Sequence, residues 1–342
     1  MGKIRFAPFA HRAPASREPV SSNARTKSIR TMNFELPKER QIDETEEFKI
    51  FSEDIDYLTQ FFSGLSELIC YNGRIISFFS NAEYFTLSTD LIKSSTQTLK
   101  SIKLCCSIGS FSDANTLIRK LRDDLIQYVY ILNIIGLRKP FLEDSVKEFN
   151  VEYPEEFANS ILNLRFNDLI TDDEQAVTAW FKNSVLDLRR PIKKKLEFEN
   201  YMKVLKQNDN INQILTEYNL QEYWETLRES LNNYVHNNGT HFSSHNIILA
   251  NDNNLVTHLK NINISTTYIS SFFLVLLLMI ESSLISSTDY IDHLDCDIQP
   301  PEDSQYFVAS FVQEFIDKKV SNIHPELKQY LKDNNINGMK IE

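Results

Sequence analysis

The chain has 342 residues, of which 42% are hydrophobic and 24% charged, with only 7 glycines and 10 prolines. This composition supports a packed core, and the scarcity of turn-forming residues favours long helices over a protein rich in sheet. The net charge of −11 is uneven, because residues 1–30 hold seven Lys/Arg and one acid, Glu18, which leaves −17 for the rest. That acidic body argues against a protein that grips long duplex nucleic acid, whose affinity comes mainly from phosphate neutralisation, and leaves room only for a local basic cleft.

Residues 1–31 are rich in Ala, Pro, Arg and Ser, and Met32 then opens a stretch that reads like a natural start. Three interpretations stay open for this basic segment, which we extend over residues 1–45. It is an upstream extension, a disordered basic arm, or a transit peptide, since such peptides are rich in Arg and Ser and poor in acids.

From about residue 46 the apolar residues recur at spacings of three and four, which indicates amphipathic helices. A second helix is predicted over 89–107, and the stretch from Gly109 to Asp113 interrupts it, with Ser112 or Asp113 as the next N-cap. A long helix then runs to Gly136. The apolar stripes of the first and the long helix are Ile55, Leu58, Phe62, Leu65 and Ile69, and Leu117, Leu121, Leu125, Val129 and Leu132.

The middle of the chain is predicted to hold shorter helices, since Pro140 and Pro154 act as breakers. Helices are expected over 173–187 and 191–207. The basic run from Arg189 to Lys195 joins them, and it is either a solvated helix start or a contact to a phosphate backbone. A further apolar stripe covers 211–236, with a break expected near Leu220.

The most apolar stretch lies within 254–287, where 20 uncharged residues separate Lys260 from Glu281. That length suffices to cross a bilayer, but its first half is rich in Asn, Ser and Thr, and no aromatic belt or basic cluster flanks it. We therefore expect a central buried helix and no membrane contact. A membrane-associated protein that uses the helix over 262–286 is the weaker alternative.

Residues 291–342 are expected to form a loop and two helices, near 303–319 and 324–334, that pack on the bundle. The acidic turn at the start of this segment lacks the glycine and terminal Glu of a calcium loop, so we interpret it as solvated and predict no metal site. None of the four cysteines forms a CxxC pair, which predicts reduced thiols in a cytoplasmic protein. The turn contains Asp292, His293, Asp295 and Asp297, and the cysteines are Cys70, Cys105, Cys106 and Cys296.

Taken in order, these elements predict an all-α fold, a multi-helix bundle with long central helices over 46–290. The sequence contains no GxGxxG, P-loop, HExxH or GxSxG motif. Nucleotide-binding α/β folds and the common hydrolases are therefore unsupported, and no cofactor is predicted.

The stretch from Arg228 to Gly239 carries the clearest chemistry. Arg228, Asn232 and His236 follow one another at intervals of four, so they form one ridge of a helix. Leu227, Leu231 and Val235 form the apolar ridge beside it, which places the polar trio at the margin of the core. The sequence Asn237-Asn238-Gly239 suits a left-handed helix end, so His236 belongs to the last turn.

Such a trio has the groups that cut RNA without a metal. His236 is the candidate base or acid, Arg228 the candidate group that stabilises charge on the phosphate, and Asn232 the group that orients either one. The plainer interpretation is that Arg228 pairs with Glu225 or with a neighbouring helix while His236 caps the helix end.

The Arg…His element late in an all-helical chain resembles the HEPN superfamily of helical bundles. The resemblance implies a metal-independent endoribonuclease of stress or phage defence, whose site is built by Arg and His from two protomers. Glu229 fits the polar residue that commonly follows the Arg. Seven residues separate Arg228 from His236, whereas four to six are usual, and one extra residue turns a helical side chain by about 100°. The likeness covers residues 210–290.

Further residues are candidates for a functional or metal-binding role. Arg119 and Arg122 on the long helix are either functional or ion-paired with Asp123 and Asp124, and the pair His241 and His245 is at metal-ligand spacing if helical. The expected partners are RNA and a second copy of the chain or a partner protein. The main functional alternative to the nuclease is a non-catalytic helical interaction or sensor module.

Overall fold

The computed structural model describes residues 41–72, 76–80, 83–142, 147, 150–287, 307–334 and 339–342. These residues fall within one unit of the chain, Pro37–Glu342. The basic segment 1–31 and the acidic turn 292–297 lie outside the described residues, so the predictions made for them stay predictions.

The described residues form an all-α multi-helix bundle, which confirms the predicted fold class. Its one hairpin within these ranges is antiparallel, with β1 Ile76–Ser80 paired to β2 Glu83–Thr86. The helices are α1 Glu46–Tyr71, α2 Asp90–Ser107, α3 Phe111–Leu137, α4 Pro154–Leu162, α5 Asp172–Phe181, α6 Arg190–Lys193, α7 Phe198–Leu205, α8 Asp209–Glu217, α9 Leu220–Val235, α10 Thr240–Ser244, α11 Leu255–Ile280, α12 Ser310–Phe315, α13 Ser321–Ile323 and α14 Pro325–Asn334. Single turns of other helix types occupy Ile42–Glu44, Val185–Asp187, Lys194–Leu196, Ser282–Ile285 and, as a π-helix, Ile316–Val320.

Helix α3 is the centre of the bundle, because it packs against α2, α11, α9, α7 and α5. A helix surrounded on several sides needs apolar residues on most of its circumference. From Tyr128 to Ile135 every residue of α3 is buried. The apolar stripe that the sequence predicts for this helix is therefore only part of its buried surface.

Helix α1 follows the predicted pattern closely. The Thr45 hydroxyl accepts a hydrogen bond from the Phe48 N–H at 3.2 Å, which caps the first turn. Ile55, Leu58 and Leu65 of the predicted stripe have no exposed surface. The C-terminal helix α12 packs on α1, where the rings of Phe315 and Phe61 stack at 3.8 Å.

The apolar helix predicted near 254–287 is α11, and it is buried. By length and composition Leu255–Ile280 would suffice to cross a membrane, yet 78% of its most apolar window lies inside the protein. Two of its buried hydroxyl groups donate within the helix or to a neighbour, whereas the buried Ser271 hydroxyl has no hydrogen-bond partner among the described residues. Ser270 donates to the Thr266 carbonyl at 2.7 Å, and Tyr268 donates to the Leu220 carbonyl at 3.1 Å.

Some predicted boundaries differ from the structure. Helix α3 begins at Phe111 after Ser110, not after Ser112 or Asp113. The early start is stabilised from elsewhere in the chain, since the Phe111 N–H donates to the His245 carbonyl at 2.8 Å. The helix predicted over 191–207 is divided into α6 and α7, because Glu197 between them adopts an extended conformation.

Candidate functional site

Helix α9 carries the predicted polar ridge along the edge of its buried face. Trp224, Leu227 and Leu231 are buried in the core, while Arg228 and Asn232 lie half-buried at its margin. The helix separates from α8 at Asn219, one residue before the predicted break at Leu220, since Asn219 adopts a left-handed conformation with φ of 51°. The polar ridge therefore lies on α9, the second of these two consecutive helices.

His236 ends the helix at its exposed surface. Its N–H donates to the Asn232 carbonyl at 3.0 Å, and it stands at the C-cap. Asn237 follows with φ of 48°, so the left-handed residue that closes the helix is an asparagine rather than Gly239. His236 and Arg228 are eight residues apart, which corresponds to about 12 Å along a helix axis. Within one copy of the chain, the two groups therefore lie apart along the ridge and do not meet at a single point.

Arg228 makes its ion pair with a neighbouring helix. Its Nη1 donates to Glu199 Oε1 of α7 at 3.0 Å, while Glu225 accepts from Gln221 at 2.9 Å. The Glu199 side chain is 65% exposed, so this pair contributes at most about 1 kcal/mol to stability. Arg228 also lines a groove of about 430 Å³ between α7 and α9.

Two arginines of α3 lie beside Arg228. Arg122 is only 1% exposed, and its guanidinium stands over the Phe198 ring at 4.1 Å. Burial lowers its pKa and Asp123 opposes that effect, while the positive charges of Arg119 and Arg228 lower it further. Sequence reasoning named all three residues but had no signal that α3 and α9 bring them together.

Asp123 is the carboxylate that holds the α3 arginines. It accepts from Arg122 Nε and Nη2 at 2.8 and 2.6 Å, and its Oδ2 lies 3.6 Å from Arg119 Nε. Burial nevertheless raises the pKa of Asp123, and the neighbouring arginines oppose that effect. The predicted ion-pair contacts of Arg119 and Arg122 with Asp123 are thus present.

Some buried polar atoms of the three arginines and of Asn232 have no hydrogen-bond partner within the described part of the chain. There are four such atoms. A buried donor without a partner costs about 1–3 kcal/mol. Three of these atoms are N–H donors and the fourth, the Asn232 amide oxygen, is an acceptor. The four atoms are Arg119 Nη1, Arg122 Nη1, Arg228 Nε and Asn232 Oδ1.

A second cluster, of histidines, lies just beyond the ridge. His245 contacts the His258 ring edge-on at 4.6 Å, and its Nδ1 lies 3.2 Å from the Tyr234 hydroxyl. His258 in turn stacks on Phe111 at 5.0 Å. His258 was not singled out from the sequence, because only the docking of the loop after α9 on the start of α3 brings it to His245.

This cluster is expected to make the fold sensitive to mild acid. Burial lowers the pKa of both His245 and His258. The charge of His241 lowers the pKa of His245 further, and the charge of His245 does the same to His258, where Asp252 opposes the shift. A histidine with a lowered pKa binds protons more weakly in the folded state, so stability falls as the pH drops below about 6.5 toward the lowered values. The midpoint of thermal unfolding should therefore decrease between pH 7.5 and 5.5.

The measurement is thermal unfolding across that pH range for the wild type and for His258→Asn. The variant should show a smaller decrease between the two pH values, even if it starts from a lower midpoint. Equal decreases in the two proteins would mean that other groups cause the acid sensitivity.

The hypothesis of a metal site at His241 and His245 receives no support from the geometry. Among the described residues, no group of three or more His, Cys, Asp or Glu side chains is arranged to hold a metal ion. The rings of His241 and His245 are 5.9 Å apart and edge-on.

In the basic run from Arg189 to Lys195, Lys195 pairs with Asp173 at 2.8 Å and Ile192 is buried, so part of that run has a structural role.

The chain matches no protein-family model, no curated protein and no solved structure. The class that the fold defines is an all-α multi-helix bundle. Its candidate site is the ridge of α9 together with the arginine pair of α3.

Proposed function

We propose that the protein is a HEPN-like, metal-independent endoribonuclease that acts as a homo-oligomer in the cytoplasm, as an effector of stress or phage defence. The observation that supports this most is the set of Arg119, Arg122 and Arg228, each of which has one buried nitrogen without a hydrogen-bond partner within the described ranges. A phosphate group has oxygens that accept such donors in pairs. The exposed His236 at the end of the same ridge supplies the imidazole that acts as the proposed base.

The proposed reaction is a transesterification of the RNA backbone. His236 accepts the proton of the 2′-hydroxyl as its oxygen attacks phosphorus, the bond from phosphorus to the 5′-oxygen breaks, and a second acid protonates that oxygen. The products are a 2′,3′-cyclic phosphate and a 5′-hydroxyl. Arg228 stabilises the charge that develops on the phosphorane, and Asn232 orients the phosphate or the imidazole.

The separation of about 12 Å between Arg228 and His236 along one helix favours a site completed by two copies. In a symmetric dimer each copy would supply Arg228 to one site and His236 to the other. The resemblance on which the proposal rests implies a site shared by two protomers as well, although there each protomer contributes both Arg and His to it.

The second candidate, a non-catalytic interaction module, is favoured by a different observation. Helix α4 buries none of its residues, and Leu162 on it is 81% exposed. Leu169, seven positions further along the chain, is 82% exposed, and exposed apolar side chains that form a contiguous patch are typical of surfaces that bind another protein. The pairing of Arg228 with Glu199 agrees with a purely structural ridge.

The test is cleavage of single-stranded RNA in the presence of EDTA. The wild type should cleave, and His236→Ala should lower the rate by about 100-fold or more, since a general acid or base contributes roughly 10²–10⁴. His241→Ala is the matched control, because His241 is an exposed histidine five positions further along. Arg228→Lys should also be impaired, since lysine keeps the charge and loses the planar donors.

A mixing experiment tests the two-copy site. Arg228→Ala and His236→Ala, each inactive alone, should regain up to about a quarter of the wild-type rate when subunits exchange, because half of the dimers then carry one intact site of two. Cleavage that needs a metal, or that survives in His236→Ala, contradicts the proposal. A wild type that associates but cleaves nothing would favour the interaction module.

A further inference from the structure

A cavity separate from the candidate site lies at the break between α8 and α9. It has a volume of about 480 Å³, within the range of small-molecule sites. The start of α9, the middle of α11 and the C-terminal helices enclose it. Tyr218, Tyr223, Tyr268 and His324 supply its aromatic rings, and none of them belongs to the ridge or to the arginine cluster.

Two of the tyrosine rings, those of Tyr218 and Tyr223, remain partly exposed. Tyr218 meets His324 at 4.5 Å and Tyr330 at 5.9 Å, with interplanar angles of 68° and 80°, so neither neighbour stacks in parallel on it. Tyr223 rests on Tyr268 at 3.9 Å and is still 38% exposed. Flat heterocycles stack on tyrosine rings of this kind.

Amide and imidazole groups surround the rings. Asn219 and Asn322 line the cavity, and Asn219 is fixed in a left-handed turn with φ of 51°. His324 follows α13 (Ser321–Ile323), and its Nδ1 is buried without a hydrogen-bond partner in the described structure. An amide offers one acceptor and two donors in a plane, which matches the edge of a nucleobase.

The charges around the cavity decide against a polyanion. Its one lining lysine, Lys319, is already paired with Asp54 at 2.9 Å. Burial raises the pKa of Tyr218, and the negative charges of Glu217 and Glu326 raise it further, so two carboxylates lie close to the rim. A triphosphate would meet these carboxylates with no unpaired lysine from the cavity wall to offset them.

We propose that this cavity binds an uncharged nucleobase, stacked on the tyrosine rings and read by the asparagine amides. The base is either that of a free nucleoside or an unstacked base of a single-stranded RNA. The site stands independently of ribonuclease activity, because none of its groups takes part in the proposed cleavage.

Binding is tested by titration calorimetry and saturation-transfer NMR with the four ribonucleosides, with ATP, and with a short single-stranded RNA. At least one nucleoside should bind, and ATP should bind more weakly than adenosine. Tyr223→Leu should weaken binding about fivefold or more, the size expected when base stacking is lost, whereas Tyr223→Phe keeps the ring and should bind normally. Tyr153→Leu, at a tyrosine that is 52% exposed on another surface, is the matched control.

The outcomes separate the two sources of the base. Nucleoside binding that a short RNA does not improve assigns the cavity to a free nucleoside, and tighter binding of the RNA that is still lost in Tyr223→Leu assigns it to an RNA base. Absence of binding by every probe overturns the proposal. Tighter binding of ATP than of adenosine, or equal binding by Tyr223→Leu and the wild type, overturns it as well. Since no readout depends on RNA cleavage, an inactive ridge would leave this result unchanged.

Discussion

Arg138→Met is expected to lower the free energy of unfolding by about 3–5 kcal/mol, the cost of breaking a buried ion pair from one side. The Arg138 side chain is 2% exposed, and its partner Glu174 on α5 is 10% exposed at 3.3 Å. Arg138 also donates to the carbonyls of Leu169, Asn167 and Phe79. One guanidinium thus joins the end of α3 to α5, to the loop before α5 and to β1.

Methionine preserves much of the side-chain volume, so the loss reports the charge and the donors. Denaturant unfolding of the two proteins measures it. Lys147→Met is the matched control, because Lys147 pairs with Glu156 at 2.7 Å on the surface, where the side chains are 60% and 55% exposed. That pair should contribute at most about 1 kcal/mol.

A second substitution separates the two parts of the effect. Glu174→Gln removes the carboxylate that Arg138→Met leaves unpaired, so the double variant should be less destabilised than the sum of the two single variants predicts. Equal stability of Arg138→Met and Lys147→Met would contradict the structural role assigned to Arg138.

The importance of Arg138 could not be read from the sequence, although the helix that ends beside it could. Apolar periodicity predicts α1 and α3 because burial of one face follows from spacing along the chain alone. The partners of Arg138 lie 29 to 59 positions away, and no local pattern encodes which carbonyls a folded chain presents. Sequence spacing therefore locates helices better than it locates the polar contacts that connect them.

The candidate site divides in the same way. The intervals of four between Arg228, Asn232 and His236 predict one ridge at the margin of the core, and the structure has α9 in that orientation as far as Leu231, whereas Val235, predicted to join the apolar ridge, is 37% exposed at the helix end. The ion pair of Arg228 with Glu199 joins residues 29 positions apart. The proximity of Arg122 depends on how α3 packs against α9. A ridge is a property of one helix, whereas a cluster of guanidinium groups requires two.

The start of α3 shows how a tertiary contact changes a local boundary. Asp113 remains part of the cap region, since the Ser110 hydroxyl donates to Asp113 Oδ2 at 2.7 Å. The helix nevertheless begins at Phe111, because the chain turns sharply at Gly109 and the loop after α10 bonds to the turn. Capping preferences alone favoured a later start.

Gly109→Ala is expected to be among the most damaging single substitutions of this chain. Gly109 has a φ of 76°, which costs a residue with a Cβ about 1–2 kcal/mol. The added Cβ would lie 2.1 Å from the Ile248 carbonyl oxygen, and relief of that overlap by backbone movement costs about 1–3 kcal/mol more. The expected loss in the free energy of unfolding is therefore about 2–5 kcal/mol.

Gly136→Ala is the matched control, since it makes the same chemical change near the other end of α3. Gly136 is exposed within α3, and a Cβ there meets no atom within 4 Å. Alanine in an exposed helical position should stabilise the protein by about 0.5–1 kcal/mol. Opposite signs in denaturant unfolding are the expected result, and similar values for the two variants would contradict it.

The damage at Gly109 should also appear at the histidine cluster. The Ile248 N–H donates to the Gly109 carbonyl at 3.3 Å, and the next contact along the turn is that of Phe111 with the His245 carbonyl. A shift of Ile248 would loosen the loop that holds His245 against His258. The imidazole NMR signals of those two residues should therefore change in Gly109→Ala and stay as in the wild type in Gly136→Ala, because only the first substitution displaces the loop.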